Sequence, residues 1–114
     1  MLAHNRIIAV DFDGTLCENR YPDIGEPNND IIDRIKKCQM KGDRIILWTC
    51  RCDEALDAAV RWCAERHGLI FDAINENIPG VVAAYKSDSR KICADLYIDD
   101  RAVNVNDVIT KGEI

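Results

Sequence analysis

The stretch Arg6-Ile7-Ile8-Ala9-Val10-Asp11-Phe12-Asp13-Gly14-Thr15-Leu16 decides how the rest of the chain is read. Its first half is a short apolar run rich in β-branched residues, the composition of a strand buried on both faces, as in a parallel sheet. It then breaks into two aspartates, a glycine and a threonine. A buried strand that ends in acidic groups offers them at the carboxyl edge of its sheet, where open α/β sheets place their ligands. Side chains alternate along an extended chain, so Asp11 and Asp13 share one side and Phe12 takes the other. Two carboxylates this close repel each other when both are ionised, and a proton or a bound cation relieves the repulsion. Oxygen ligands at a strand end suit Mg²⁺, which keeps several waters and takes few protein carboxylates. Taken alone, Asp-x-Asp-Gly is also an ordinary acidic turn. A calcium loop of EF-hand type does not fit, because with Asp11 as first ligand the required glycine falls on Leu16 and the final glutamate on Pro22.

Downstream, two prolines and a glycine make Cys17 to Pro27 a loop or short hairpin. It follows the acidic strand end directly and should hang over it. Arg20 and Tyr21 either touch substrate there or belong to an ordinary surface loop. Asn28 to Lys41 reads as a helix capped by Asn28 or Asn29, with Ile31, Ile32, Ile35 and Cys38 at helical spacing and Gly42 as its stop. Arg44 to Thr49 is a second buried-type strand. Asp53 is the expected cap of a second helix, from about Glu54 to His67, whose apolar stripe is Leu56, Ala59, Val60 and Cys63. Leu69 to Ile74 reads as a third strand, and Pro79 opens a short helix through Tyr85. Asp95 to Ile98 is a fourth strand, and Val108-Ile109 in the tail reads as a weak edge strand. Strands alternating with helices at this spacing imply right-handed βαβ units and a parallel sheet.

The chain has 114 residues, fitting a single domain over 1–114, and 47% of them are hydrophobic against 31% charged. That balance belongs to a globular protein rather than a disordered one. A net charge of −5 makes a poor non-specific binder of nucleic acid or anionic membrane, and no basic stripe with interleaved aromatics appears. No run of about 18 apolar residues offers a membrane span, and Met1 to Arg6 is too short and polar for a secretion signal. The six cysteines are therefore expected as reduced thiols in the cytoplasm.

Three strands end in polar groups: Asp11 and Asp13, Thr49, and Asp99 with Asp100. In a parallel sheet these ends lie on one edge, so residues distant in sequence converge. Each suits phosphoryl transfer. A threonine hydroxyl donates to a phosphoryl oxygen without adding repulsion. A third carboxylate completes an acidic cluster that needs a cation to stay ionised. A lysine supplies positive charge to the phosphoryl oxygens, and Lys86 and Lys91 both precede the fourth strand.

Asp11-Phe12-Asp13-Gly14-Thr15-Leu16 after an apolar strand resembles the first motif of the haloacid-dehalogenase-like (HAD) phosphohydrolase superfamily. Leu47-Trp48-Thr49 resembles its second motif, and Tyr97-Ile98-Asp99-Asp100 its fourth, in the double-aspartate form. The third, a lysine without a fixed local signature, is best matched by Lys91, with Lys86 in reserve. The resemblance covers about residues 6 to 101 and implies a three-layer Rossmann-like parallel sheet of four to five strands with helices on both faces. Both gaps that hold cap domains in the family are too short for one here, so a capless member is implied, truncated at the C-terminus, with a homo-oligomer as one way to compensate.

The resemblance also implies a mechanism. Asp11 attacks phosphorus and forms an aspartyl-phosphate. Asp13 protonates the leaving group and then takes a proton from water. Mg²⁺ is held by the Asp11 carboxylate, the Asp13 backbone carbonyl and Asp99, with Asp100 acting through water. Thr49 and Lys91 bind the phosphoryl group of a small-molecule or macromolecular phosphomonoester. The second acid at Asp13 separates the chain from the family's dehalogenases.

Arg51 lies beside Thr49, and substrate contact and a structural ion pair are both open to it. A zinc cluster of Cys50, Cys52, Cys63 and His67 lacks the spacing of a standard zinc module. Cys38, Cys63, Trp48 and Trp62 are read as packing residues. The rival from another functional class is a non-catalytic phosphate-binding or regulatory module on the same fold.

Overall fold

The computed structural model describes residues 5–112. Residues 1–4, which open the stretch read above as too short for a secretion signal, lie outside that range. The elements run β1 (Ile7–Val10), β2 (Cys17–Arg20), β3 (Asp23–Pro27), α1 (Asn29–Met40), β4 (Arg44–Leu47), α2 (Asp53–His67), β5 (Ala73–Ile74), α3 (Pro79–Tyr85), β6 (Leu96–Ile98) and α4 (Val105–Lys111).

Four strands form one parallel sheet in the order β5-β4-β1-β6, flanked by helices, and β2 and β3 form a separate antiparallel hairpin. The chain steps outward from β1 through β4 to β5 and then returns to the other side of β1. Direction therefore reverses at the central strand, the topological point where open α/β sheets form their ligand crevice.

The apolar run of β1 is buried throughout because it packs on both faces. Ile8 and Val10 join Ile45 and Leu47 in one cluster with Ile32 and Ile35 of α1 and Ala59 and Cys63 of α2. The alternate residues Ile7, Ala9 and Ile46 join Ala73, Ile78 and Ile92 on the other face. Cys63 packs as a hydrophobe, and burial pushes its thiol up to about 12. Trp62 is half-buried against the first cluster and Trp48 against the second.

Three aspartates lace the opposite, amino edge of the sheet. Asp43, Asp72 and Asp95 immediately precede β4, β5 and β6. Asp43 accepts the Arg6 N–H at 3.0 Å, Asp72 the Ile45 N–H at 2.7 Å, and Asp95 the Ile7 N–H at 2.7 Å. Each strand is thereby tied to its neighbour by the carboxylate that introduces it.

The structure corrects several boundaries. The second sheet strand stops at Leu47 rather than Thr49, because the Thr49 N–H turns to the Asn75 side chain at 2.8 Å instead of the ladder. The third shortens to Ala73–Ile74, since Leu69 closes α2 by donating to Cys63 O at 2.9 Å. Cys52 holds the cap position of α2 without a side-chain bond, and Asp53 is its first helical residue, at φ +50°. Val108 and Ile109 are helical and not an edge strand. Asn104 caps α4 through the Asn106 N–H at 2.9 Å, and Gly112 ends it, so the main sheet has four strands among the described residues. Among those residues no helix is long and apolar enough to cross a membrane.

The lacing has a measurable worth. Asp72→Ala should lower the free energy of urea unfolding by about 1.5–3 kcal/mol, the usual range for a hydrogen bond to a charged group.

Candidate functional site

A cleft of about 560 Å³ opens at the carboxyl edge of the sheet. Its floor is formed by Asp11 after β1, Thr49 after β4, and Asp99 and Asp100 after β6. Parallel pairing of β1 with β4 and β6 puts those three strand ends side by side. Asp11, Asp99 and Asp100 each offer one carboxylate oxygen, and the three oxygens lie within 4.8 Å of one another. This is the one such cluster of potential metal ligands among the described residues. All-oxygen donors at that spacing fit a hard cation such as Mg²⁺.

Close approach in the cluster depends on Gly14. It sits at φ +86°, and a Cβ built there would overlap Asp100 Oδ2. Any other residue would displace that carboxylate as well as strain the turn. The Asp11 carboxyl is pushed up to about 6, first by burial and then by the charges of Asp99, Asp100 and Asp13, with the Phe12 N–H pulling the other way.

Asp13 stands apart from the trio. Both of its oxygens accept from Arg51, Oδ2 from Nε and Oδ1 from Nη2, each at 2.8 Å. Arg51 is 2% exposed. Its other donors reach the carbonyls of Pro22 at 3.1 Å, Ala55 at 3.2 Å and Asp23 at 2.7 Å. All five guanidinium N–H groups are thus committed. The same guanidinium carbon lies 4.9 Å from the Phe12 ring centroid and 5.2 Å from that of Tyr21. Of the two options open for Arg51, the ion pair is the one formed here. It fastens the hairpin tip and the start of α2 to the acidic strand end.

Thr49 Oγ1 accepts the Arg51 N–H at 3.1 Å, which leaves its hydroxyl proton free to donate into the cleft. The hairpin contributes Asn19 and Tyr21 to the wall but not Arg20, which is exposed and paired with Glu18 at 2.9 Å. Residues two apart share a face, so the one between them turns away. Neither Lys91 nor Lys86 lines the cleft. Lys91 is exposed, with its ammonium 5.9 Å from the Tyr97 ring centroid, and Lys86 is the left-handed cap of α3. Among the described residues, the cation that does line the cleft with its side chain unpaired is Arg101. Sequence reasoning passed over it by stopping at the double aspartate, although the residue directly after a strand-end motif is a natural rim position. Cys50, also unsingled for the cleft, lines it beside Thr49. No zinc cluster forms among the described residues: Cys63 is buried, and His67 packs on Trp62 with ring centroids 4.4 Å apart.

A solved structure described as a conserved protein from Bacteroides thetaiotaomicron is 40% identical to this chain, with a TM-score of 0.76, covering 97% of this chain and 94% of that one. The chain belongs to the same family as that conserved protein. No protein-family model and no curated protein matches it.

Two consequences of this geometry are measurable. The Asp11 carboxyl titrates higher in the folded chain than its ordinary value of 3.8. Its contribution to stability is therefore full below about pH 4 and lost as pH rises through about 6. In metal-free protein, Asp11→Asn should raise Tm at pH 7.5 by about 2–6 °C, with the gain falling to about a third of that near pH 4.5. Scanning calorimetry at both pH values decides it. Separately, Arg51→Met leaves Asp13 without its partner and should cost about 3–5 kcal/mol in urea unfolding, with faster hydrogen exchange at the hairpin tip.

Proposed function

We propose that the protein is a Mg²⁺-dependent phosphomonoester hydrolase of the haloacid-dehalogenase-like kind, working through an aspartyl-phosphate on Asp11. The observation that carries this reading is the meeting of Asp11, Asp99 and Asp100 within 4.8 Å beside the Thr49 hydroxyl. The architecture that goes with it is one capless, three-layer Rossmann-like domain. Among the described residues the chain holds the hairpin and α1 between β1 and β4, and after β4 the 15-residue α2, two shorter helices and two short strands.

The cation would be held by Asp11, Asp99 and Asp100 with the Asp13 backbone carbonyl. When bound, it supplies positive charge that offsets repulsion between the carboxylates and the phosphoryl oxygens. Asp11 attacks phosphorus in line, and the leaving-group oxygen departs. Water then attacks the aspartyl-phosphate, and Asp11 is regenerated with release of phosphate. Asp13 gives a proton to the leaving oxygen and later takes one from the water. It does so by releasing one oxygen from Arg51, whose three bonds to backbone carbonyls hold the guanidinium in place meanwhile. Thr49 donates to the phosphoryl group. Arg101 takes the role that the family resemblance gave to Lys91, as the cation in the cleft left unpaired among the described residues.

The six free thiols agree with a cytoplasmic protein. The rival reading, a non-catalytic phosphate-binding or regulatory module, has one feature in its favour: both Asp13 oxygens are held by Arg51.

Turnover of p-nitrophenyl phosphate with and without Mg²⁺ separates the two. Hydrolysis that requires the metal and falls about 10³-fold or more in folded Asp11→Asn is the expected result. Absence of turnover across a broad phosphomonoester panel favours the binding module. Arg101→Ala should lower kcat/KM by about 10–100-fold, the loss of one charge-assisted contact, while Lys91→Ala changes it far less.

A further inference from the structure

The hairpin wall of the cleft has a chemistry of its own, and from it we propose that the substrate's leaving group carries a planar ring with hydrogen-bond acceptors, as a nucleoside or aryl monophosphate does. The inference rests on the phosphomonoesterase reading and names the class of ester that the site takes.

Tyr21 is 59% exposed, yet one face of its ring is covered. It lies over the guanidinium of Arg51, and that group is buried with every donor engaged. The guanidinium also lies over Phe12, which meets Trp62 edge-on with centroids 5.7 Å apart. Tyr21 is thus the exposed end of a column of rings and cation rooted in the core. An aromatic face left open inside a cleft and backed by a buried cation offers a surface on which a ligand ring can stack.

Charge is divided across the cleft. The strand ends carry the carboxylates, and the hairpin contributes only the uncharged Asn19 and Tyr21. The Asn19 carboxamide oxygen accepts the Tyr21 N–H at 3.3 Å, so the end left to meet a ligand is its NH₂, a donor. One ring, one phenol and one amide donor suit a flat group bearing acceptors. They do not satisfy the many hydroxyls of a sugar or polyol, whose burial requires a partner for each. A volume of about 560 Å³ also exceeds what phosphate with a short alkyl group would fill.

The test compares nucleoside 5′-monophosphates with glycerol 3-phosphate, since both expel a primary alcohol and differ in the ring. Wild-type protein with Mg²⁺ should favour the nucleotides in kcat/KM by tenfold or more. Tyr21→Leu should reduce that preference about tenfold, chiefly through KM, and Tyr21→Phe should retain it, as expected for stacking. Asn19→Ala, which removes no ring of the column, should reduce it several-fold. Wild-type activity that favours glycerol or sugar phosphates, or a preference unmoved in folded Tyr21→Leu and Asn19→Ala, overturns the inference and leaves the phosphatase standing. Silence of the wild type on both classes overturns this inference, and silence on p-nitrophenyl phosphate and a broad phosphomonoester panel as well overturns the phosphatase reading with it.

Discussion

One buried guanidinium governs the arrangement. Arg51 has five donors, and each has an acceptor: two on Asp13, two on the hairpin tip and one in the first turn of α2. A buried cation tolerates no missing partner, because an unmatched charge inside a protein costs several kcal/mol. The requirement works in both directions. Satisfying Arg51 forces the hairpin back over the strand ends, keeps Asp13 out of the carboxylate trio and supports the ring of Tyr21. The cleft is a by-product of that satisfaction.

The sheet carries two sets of aspartates with opposite relations to the backbone. Asp43, Asp72 and Asp95 precede strands and are consumed by N–H groups of the neighbouring strand. Asp11, Asp99 and Asp100 follow strands and face one another. The first set stabilises the pairing of strands. The second opposes folding, first through burial of a carboxylate and then through mutual repulsion, as the raised Asp11 carboxyl records. Structural stability at one edge is thus set against electrostatic strain at the other, the usual division between scaffold and site.

Much of this was legible in sequence, for identifiable reasons. Apolar runs such as Ile7–Val10 and Ile45–Leu47 announce strands buried on both faces, and position after such a run marks Asp11, Thr49, Asp99 and Asp100 as rim residues. The same rule, reversed, would have identified Asp43, Asp72 and Asp95 as lacing. What sequence withheld depends on tertiary context. Nothing local says that Arg51 is buried, because a charge goes inside only when distant carbonyls are waiting. Lys91 and Lys86 lie in segments whose path is set by packing, and neither lines the cleft, while Arg101 does. The tail was misjudged because Val108-Ile109 has strand-like composition, while the capping side chain of Asn104 acts from outside that dipeptide.

The position of β6 carries a last implication. It is three residues long, pairs only with β1, and lies at the margin of the sheet, yet it delivers two of the three clustered carboxylates. Short marginal strands are the first to fray in native-state fluctuations. The acidic cluster therefore spans the interior of the sheet and one of its margins. A divalent ion seated between them would act as a rivet, its affinity discounted by the work of keeping that margin zipped.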